Sequence, residues 1–172
     1  NGYIDDVNGW NFVDNNNQVI PAINVQDEAN VITHGTLLAG VVGEAGNNNI
    51  NGAGLNWKVK LMAIKAIDNE GGGSLTDVAK AVDYAVRNGA DIISLSFVGE
   101  TTSKVLEESL KNAYNHGVLV VAAAGNSSDD GKNDLSINKH YPICLDSGNQ
   151  ENWVLGVTSV GPSDTLSDFA NY

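Results

Sequence analysis

The sequence is poor in cysteine, in basic residues and in long apolar runs, and each shortage excludes a class of structure or partner. Cys144 is the one cysteine among the 172 residues, so no disulfide can form within the chain. Only 9 lysine and arginine residues stand against 21 aspartate and glutamate residues, for a formal net charge of -12 at pH 7. Because this charge repels phosphate backbones and anionic membrane surfaces, no nucleic acid partner is predicted.

The apolar residues of the chain occur in short groups. No run approaches the roughly 20 residues that a helix needs to cross a bilayer, so no membrane span is predicted. We expect residues 1–172 to belong to one domain, because this length is sufficient to bury a continuous core. The sequence indicates no particular oligomeric state.

The middle of the chain has the pattern of an α/β fold. Between residues 57 and 124, short apolar runs alternate with longer amphipathic segments, as in βαβ units with a parallel sheet. Four apolar runs have the length and continuity of buried parallel strands: residues 61–67, 91–97, 118–124 and 153–160.

Two segments between these runs predict crossover helices. Over residues 75–88 and 103–116 the apolar residues recur at helical spacing. Ser74 precedes the first helix and has an acidic residue three positions later, which is typical of a helix N-terminus. Gly89 and Gly117 follow the two segments as stop signals.

His34 begins a run, HGTLLAG, in which a polar, glycine-marked stretch is followed by small and apolar residues that can form a helix. A histidine at a helix start can lie at the edge of a cleft, take a proton from a hydroxyl and give it to a leaving amine. A lone histidine beside glycine is more often a capping or surface residue. A catalytic role therefore depends on what the rest of the chain supplies.

Asn126 ends a second notable run, in which an apolar strand tapers into small residues, AAAGN. Ligand sites in parallel sheets lie at the carboxyl ends of strands. An asparagine there can donate its side-chain N–H to an oxyanion, and the small residues before it leave room for a substrate side chain. Taken alone, a Gly-Asn pair after a buried strand is more often a turn.

Three segments together resemble the subtilisin-like serine proteases in order and spacing: His34 to Gly40, Ser94 to Gly99 (SLSFVG) and Ala122 to Asn126. The resemblance covers essentially the whole chain. It implies an α/β fold with a three-layer arrangement around a parallel sheet, of which this chain would be an internal segment, incomplete at both ends.

The resemblance also assigns roles by position. His34 matches the general base of the family, and Asn126 matches the residue that helps to bind the oxyanion of the tetrahedral intermediate. One side of the substrate cleft, the 96–99 wall, would pair with extended peptide and consists of Ser96, Phe97, Val98 and Gly99. The opposite side, the 123–125 wall, consists of Ala123, Ala124 and Gly125.

The chain departs from the family pattern at several points. Leu37 replaces the usual second histidine, and Val98 stands where glycine is usual and is expected to narrow the pocket. In the family, the catalytic aspartate ends an apolar strand in a D-[TS]-G motif before the histidine, and the catalytic serine lies in a G-T-S-M-A motif. No such strand precedes His34 and no G-T-S-M-A follows it, so residues 1–172 are expected to be inactive alone. The polar flanks, residues 1–33 and 126–152, are expected to form loops or irregular surface.

Calcium is a candidate structural ligand, because subtilisin-like domains bind it in loops rich in oxygen donors. Asn48, Ile50 and Gly52 lie near the matching loop, although such an asparagine-rich stretch is also typical of a solvated loop. No cofactor is expected to be required for the chemistry.

These observations favour part of a secreted or cell-surface bacterial serine endopeptidase that acts on polypeptide substrates through an acyl-enzyme. One alternative is a non-catalytic pseudoprotease or peptide-binding module that keeps the cleft without the catalytic triad. A nucleotide-binding doubly wound domain is disfavoured, because no G-x-G-x-x-G sequence follows any of the predicted strands.

Overall fold

A computed structural model describes residues 1–20, 33–50, 52–127, 134–145 and 151–172. The chain forms two compact units, residues 1–81 and 82–172. In chain order the elements are β1 (Gly9–Asn11), α1 (His34–Gly43), β2 (Ala63–Lys65), α2 (Leu75–Arg87), β3 (Ile92–Leu95), α3 (Lys104–Asn115), β4 (Leu119–Ala123) and β5 (Val154–Val157). Parallel strands connected through helices confirm the predicted α/β class.

The first unit contains a parallel pair of strands, β1 and β2, in which Gly9 pairs with Ala63 and Asn11 with Lys65. The expectation that residues 1–33 form only loops or irregular surface is therefore wrong. Gly9 has φ +135, and a side chain at this position would collide with the backbone of Ala63. The strand depends on a close approach that only glycine allows, and its composition gives little propensity signal.

Asn11 is buried and organises the turn that follows β1. Its Nδ2 donates to the carboxylate of Asp14 at 2.9 Å and to the carbonyl of Gln18 at 2.9 Å. Its Oδ1 accepts from the backbone N–H groups of Val13 at 3.0 Å and Asp14 at 3.1 Å. Beyond β1, then, the chain forms a hydrogen-bonded loop, as expected for this polar flank.

Helix α1 begins at His34, where a helix was predicted, and none of its residues is buried. Leu37 and Val41 are 67% and 68% exposed, so the helix presents apolar side chains to solvent. The three helices contain 10, 13 and 12 residues, and none in the described part of the chain could cross a bilayer.

The second unit contains a parallel sheet in the order β3-β4-β5, with helix α3 packed on β4. Side chains alternate along the strands, so one face is buried and the other carries half-exposed Ile92, Leu119 and Leu155. The buried residues of β3, β4 and α3 include Ile93, Leu95, Val120, Ala122, Leu106, Leu110 and Ala113.

The predicted boundaries of α2 and α3 are confirmed to within one residue. Ser74 Oγ accepts from the N–H of Thr76 at 3.2 Å, and Ser103 Oγ accepts from the N–H of Leu106 at 3.2 Å. Gly89 and Gly117 follow the helices with φ of +77 and +74. These glycines adopt the left-handed conformation that ends a helix. The strands are shorter than the apolar runs that predicted them.

Candidate functional site

The candidate site of the second unit lies where β3 and β4 end. Because the strands are parallel, their carboxyl ends meet at one edge, and the residues that follow form the two predicted walls. Cγ1 of Val98 lies 3.2 Å from the position that a Cβ on Gly125 would occupy. The structure thus brings the 96–99 wall and the 123–125 wall into contact.

An open depression of about 210 Å³ adjoins these strand ends. It is lined by Ser94, Leu95, Ser96, Val121, Ala122, Ala123 and Val157. The hydroxyl groups of Ser94 and Ser96 lie 3.4 Å apart along one side. The small residues Ala122 and Ala123 of β4 line part of this space.

Asn126 is exposed, and its backbone position is fixed by a short antiparallel bridge to Ala170. In this bridge Ser127 N–H donates to the carbonyl of Phe169 at 3.1 Å, and Asn171 N–H donates to the carbonyl of Gly125 at 3.1 Å. The side-chain amide of Asn126 makes no hydrogen bond within the part of the chain that the structure describes. It is therefore a positioned donor that an oxyanion could use.

Asn171 and His140 form a polar pair behind Gly125. Asn171 is fully buried, and its Nδ2 lies 3.0 Å from the carbonyl oxygen of Ala124 and 3.0 Å from Nδ1 of His140. The hydroxyl of Thr158 donates to the backbone carbonyl of Asn171 at 2.5 Å. Gly125 has φ +91, and a Cβ added to it would lie 3.0 Å from Asn171 Nδ2 and 3.0 Å from His140 Nδ1.

The segment that carries His140 is joined to the 96–99 wall. Gly99 and Tyr141 exchange two backbone hydrogen bonds of 2.9 Å each. The same segment contains Asp134, and Ser136 donates both its hydroxyl and its backbone N–H to the carboxylate of Asp134. These two hydrogen bonds lower the pKa of Asp134 below its ordinary value.

The sequence reasoning did not find His140 and Asn171. They lie 31 residues apart in the chain, and Asn171 is 47 residues from Ala124, whose carbonyl it binds. His140 precedes Tyr141-Pro142 in a polar stretch that resembles any surface loop. No local pattern connects them, because only the fold brings them together.

His34 is exposed at the first position of α1 and belongs to the first unit. The two predicted walls and Asn126 belong to the second unit. The structure therefore brings together the predicted walls and the predicted oxyanion donor, and it places the predicted base at a helix start in the other unit. The catalytic assignment of His34 stays a prediction.

The predicted calcium loop, with Asn48, Ile50 and Gly52, offers oxygen donors. Asn48 Oδ1 accepts from the N–H of Ile50 at 3.1 Å, and a side chain at Gly52 would meet the carboxylate of Glu44. No cluster of three or more histidine, cysteine, aspartate or glutamate side chains occurs among the residues described. Calcium accepts amide and backbone carbonyl oxygens, so the donor chemistry of this loop fits the ion.

The comparisons with known proteins agree with one another. The model of the subtilase family matches residues 2–172. Thermitase of Thermoactinomyces vulgaris is 33% identical over 166 residues, which cover 96% of this chain and 52% of thermitase. Thermophilic serine proteinase of Bacillus sp. (strain AK1) is 32% identical over 166 residues, covering 96% of this chain and 36% of that protein.

A solved structure of a subtilisin-like proteinase agrees with these relatives. The crystal structure of a cold adapted subtilisin-like serine proteinase has a TM-score of 0.69 and 26% sequence identity, covering 95% of this chain and 50% of that one. This chain thus spans about half, or less, of the length of the relatives it matches. Since the family model matches nearly every residue, the chain belongs to the subtilase family.

Proposed function

We propose that residues 1–172 are part of the catalytic domain of a serine endopeptidase, which hydrolyses peptide bonds through an acyl-enzyme intermediate. The observation that carries the proposal is the position of Asn126. Its exposed amide follows the carboxyl end of β4, beside the contact between the 96–99 wall and the 123–125 wall. Membership of the subtilase family supports the reaction class.

In this mechanism an extended peptide lies along the 96–99 wall, and the side chain before the scissile bond enters between the two walls. A serine hydroxyl attacks the scissile carbonyl carbon while His34 takes the hydroxyl proton. The carbonyl oxygen becomes negative, and the Asn126 amide donates a hydrogen bond to it. His34 then gives the proton to the leaving amine, and water hydrolyses the acyl-enzyme by the same steps.

The serine and the aspartate of this mechanism lie outside residues 1–172 in our proposal. No D-[TS]-G sequence precedes His34 and no G-T-S-M-A sequence occurs in the chain, and Asp14, which follows β1, binds Asn11 within a local turn. Residues 1–172 alone are accordingly expected to hydrolyse no peptide.

Three further statements belong to the same proposal. The substrates are polypeptides, and the protein acts outside a bacterial cell or at its surface. Calcium, when bound by the Asn48, Ile50 and Gly52 loop, stabilises that loop and takes no part in the chemistry. Chelation should therefore lower the melting temperature without abolishing the reaction at low temperature.

A fluorophosphonate probe tests the proposal, because it labels only an activated serine. The full-length protein should be labelled and should cleave a denatured protein substrate, whereas residues 1–172 alone should not. His34→Ala in the full-length protein should lose both labelling and cleavage, and His116→Ala, at the exposed end of α3, should keep both.

Two results would contradict the proposal. Labelling of a serine within residues 1–172 would show that the nucleophile has been misplaced. A folded full-length protein that binds peptides but is neither labelled nor active would support the non-catalytic peptide-binding module instead.

A further inference from the structure

Asn126 lies in a turn whose backbone is held by the last residues of the sequence. The N–H of Ser127 donates to the carbonyl of Phe169 at 3.1 Å, and the N–H of Asn171 donates to the carbonyl of Gly125 at 3.1 Å. These two hydrogen bonds lie on either side of Asn126 along the chain. The backbone position of Asn126 therefore depends on Asn171 and its neighbours as well as on strand β4.

The side chain of Asn171 adds a third hydrogen bond to the same turn. Its Nδ2 donates to the carbonyl of Ala124 at 3.0 Å, although the two residues are 47 positions apart in the chain. Asn171 is 0% exposed and Ala124 is 2% exposed. Because water cannot reach either group, a residue without a donor at position 171 would leave the carbonyl of Ala124 without this partner.

The orientation of the Asn171 amide is set by its bond to Ala124. A backbone carbonyl can only accept, so the atom 3.0 Å from it is the Nδ2 donor, which also lies 3.0 Å from His140 Nδ1. The Oδ1 of Asn171 is sealed from solvent and has no hydrogen-bond partner within the described part of the chain. An apolar side chain of the same size would avoid this unpaired oxygen, so packing does not account for the amide. Its donor does.

The Asn171 side chain also lies against the backbone of Gly125. A Cβ on Gly125, whose φ is +91, would lie 3.0 Å from Asn171 Nδ2, so the glycine leaves the room that the amide occupies. The hydroxyl of Thr158, the residue after β5, donates to the backbone carbonyl of Asn171 at 2.5 Å. Asn171 thus joins the end of β5 to the turn that carries Asn126.

We propose that Asn171 is a positioning residue, which holds the Asn126 amide at the place where the oxyanion forms. This inference rests on the proposed function of Asn126. Asn171 is fully buried, so it touches no substrate and acts only through the turn that it binds. A displacement of about 1 Å at a reacting centre can lower a rate by about 10²-fold, so loss of this support should lower the rate of the chemical step.

The first measurement is the kcat of Asn171→Leu and Asn171→Ala in the full-length protein. Leucine keeps a similar volume, alanine avoids crowding, and neither has a side-chain donor. On a chromogenic peptide kcat should fall by about 10- to 10²-fold, and by no more than in Asn126→Leu, with KM changed little. Leu110→Ala is the control, because it removes buried packing from α3 and should keep the wild-type kcat while the protein is folded.

Thr158→Val is a milder variant at an exposed residue, and it tests the same support without altering Asn171. It removes the hydroxyl that holds the Asn171 carbonyl. One uncharged hydrogen bond corresponds to a factor of about two to ten, so kcat should fall within that range.

A double-mutant cycle separates positioning from general damage to the structure. If Asn171 acts through Asn126, its replacement has nothing left to misplace once the Asn126 amide is gone. The kcat of the double variant Asn126→Leu, Asn171→Leu should then lie within about twofold of the kcat of Asn126→Leu alone. General damage would instead lower kcat by the same factor in both backgrounds.

The position of the amide is also followed without any reaction, so that the two proposals can fail separately. In ¹⁵N spectra of Asn171→Leu the side-chain resonances of Asn126 should shift, and the N–H of Ser127 should exchange faster with solvent than in the wild type. Leu110→Ala should show neither change. These results support the role of Asn171 even if no peptide is cleaved and the endopeptidase proposal falls.

Three results overturn the inference. A wild-type kcat in folded Asn171→Leu, Asn171→Ala and Thr158→Val removes Asn171 from the support of the site and leaves the endopeptidase proposal intact. Equal losses of kcat with and without the Asn126 amide have the same effect. Absence of cleavage together with unchanged resonances of Asn126 and Ser127 overturns both proposals.

Discussion

Replacing Gly125 by alanine tests whether the candidate site is as closely packed as the structure shows. The backbone at Gly125 has φ +91, and the added Cβ would lie 3.0 Å from both Asn171 Nδ2 and His140 Nδ1. Strain in this region of φ costs about 1–3 kcal/mol, and crowding in a packed site adds about 1–3 kcal/mol. We expect Gly125→Ala to reduce the free energy of unfolding by about 2–6 kcal/mol, measured by urea denaturation.

Gly117 provides the matched control, because it separates strain from crowding. It has φ +74 and no neighbouring atom within 4 Å of an added Cβ. Gly117→Ala should therefore show the strain alone, about 1–3 kcal/mol, and cost less than Gly125→Ala. Equal losses for the two variants would refute the packing of His140 and Asn171 against Gly125.

The remaining predictions concern the core, the pocket and one surface carboxylate. Leu110→Ala should reduce the free energy of unfolding by about 2–5 kcal/mol in thermal or urea denaturation, because Leu110 is fully buried in α3. A loss below about 1 kcal/mol would place Leu110 outside the core. Val98→Gly should widen the range of side chains accepted before the scissile bond on a peptide library, and an unchanged profile would remove Val98 from the pocket. Ser136→Ala should raise the pKa of Asp134 towards its ordinary value in an NMR titration, because it removes the hydroxyl hydrogen bond, the larger of the two that lower it, and keeps the backbone one. Since the pKa of Asp134 is lower in the folded state, any stabilisation from this carboxylate is present above its unfolded-state pKa and is lost as the pH falls through its folded-state pKa. If Asp134 titrates alike in the wild type and in Ser136→Ala, the Ser136 hydroxyl is not what lowers its pKa.

The helices of the second half of the chain could be predicted well, because their signals are local. Ser103 caps α3 through its own hydroxyl, and Gly117 ends it with a positive φ. Strand β1 could not be predicted, because it contains only Gly9–Asn11 and exists through its pairing with β2. Its one distinctive requirement, the close approach of Ala63 to Gly9, involves a residue far along the chain.

In the candidate site, too, the residues that follow a strand could be predicted, and those brought in from distant segments could not. Asn126 follows a strand, where the ligand sites of parallel sheets lie, and the resemblance to the subtilisin-like proteases implied that the two walls face one cleft. His140 and Asn171 come from a loop and from the last residues of the sequence. Their contact depends on the bridges from Gly99 to Tyr141 and from Asn126 to Ala170, which no local pattern encodes.

The kinetics of Asn126→Leu in the full-length protein test the central claim most directly, because the side chain is exposed and makes no hydrogen bond among the described residues. The replacement keeps a similar volume and removes the donor, so the fold and KM should change little. We expect kcat on a chromogenic peptide to fall by about 10²–10³, a magnitude carried over from subtilisin, where the corresponding amide has this effect. A well-folded Asn126→Leu protein with the kcat of the wild type would contradict the claim that this amide binds the oxyanion.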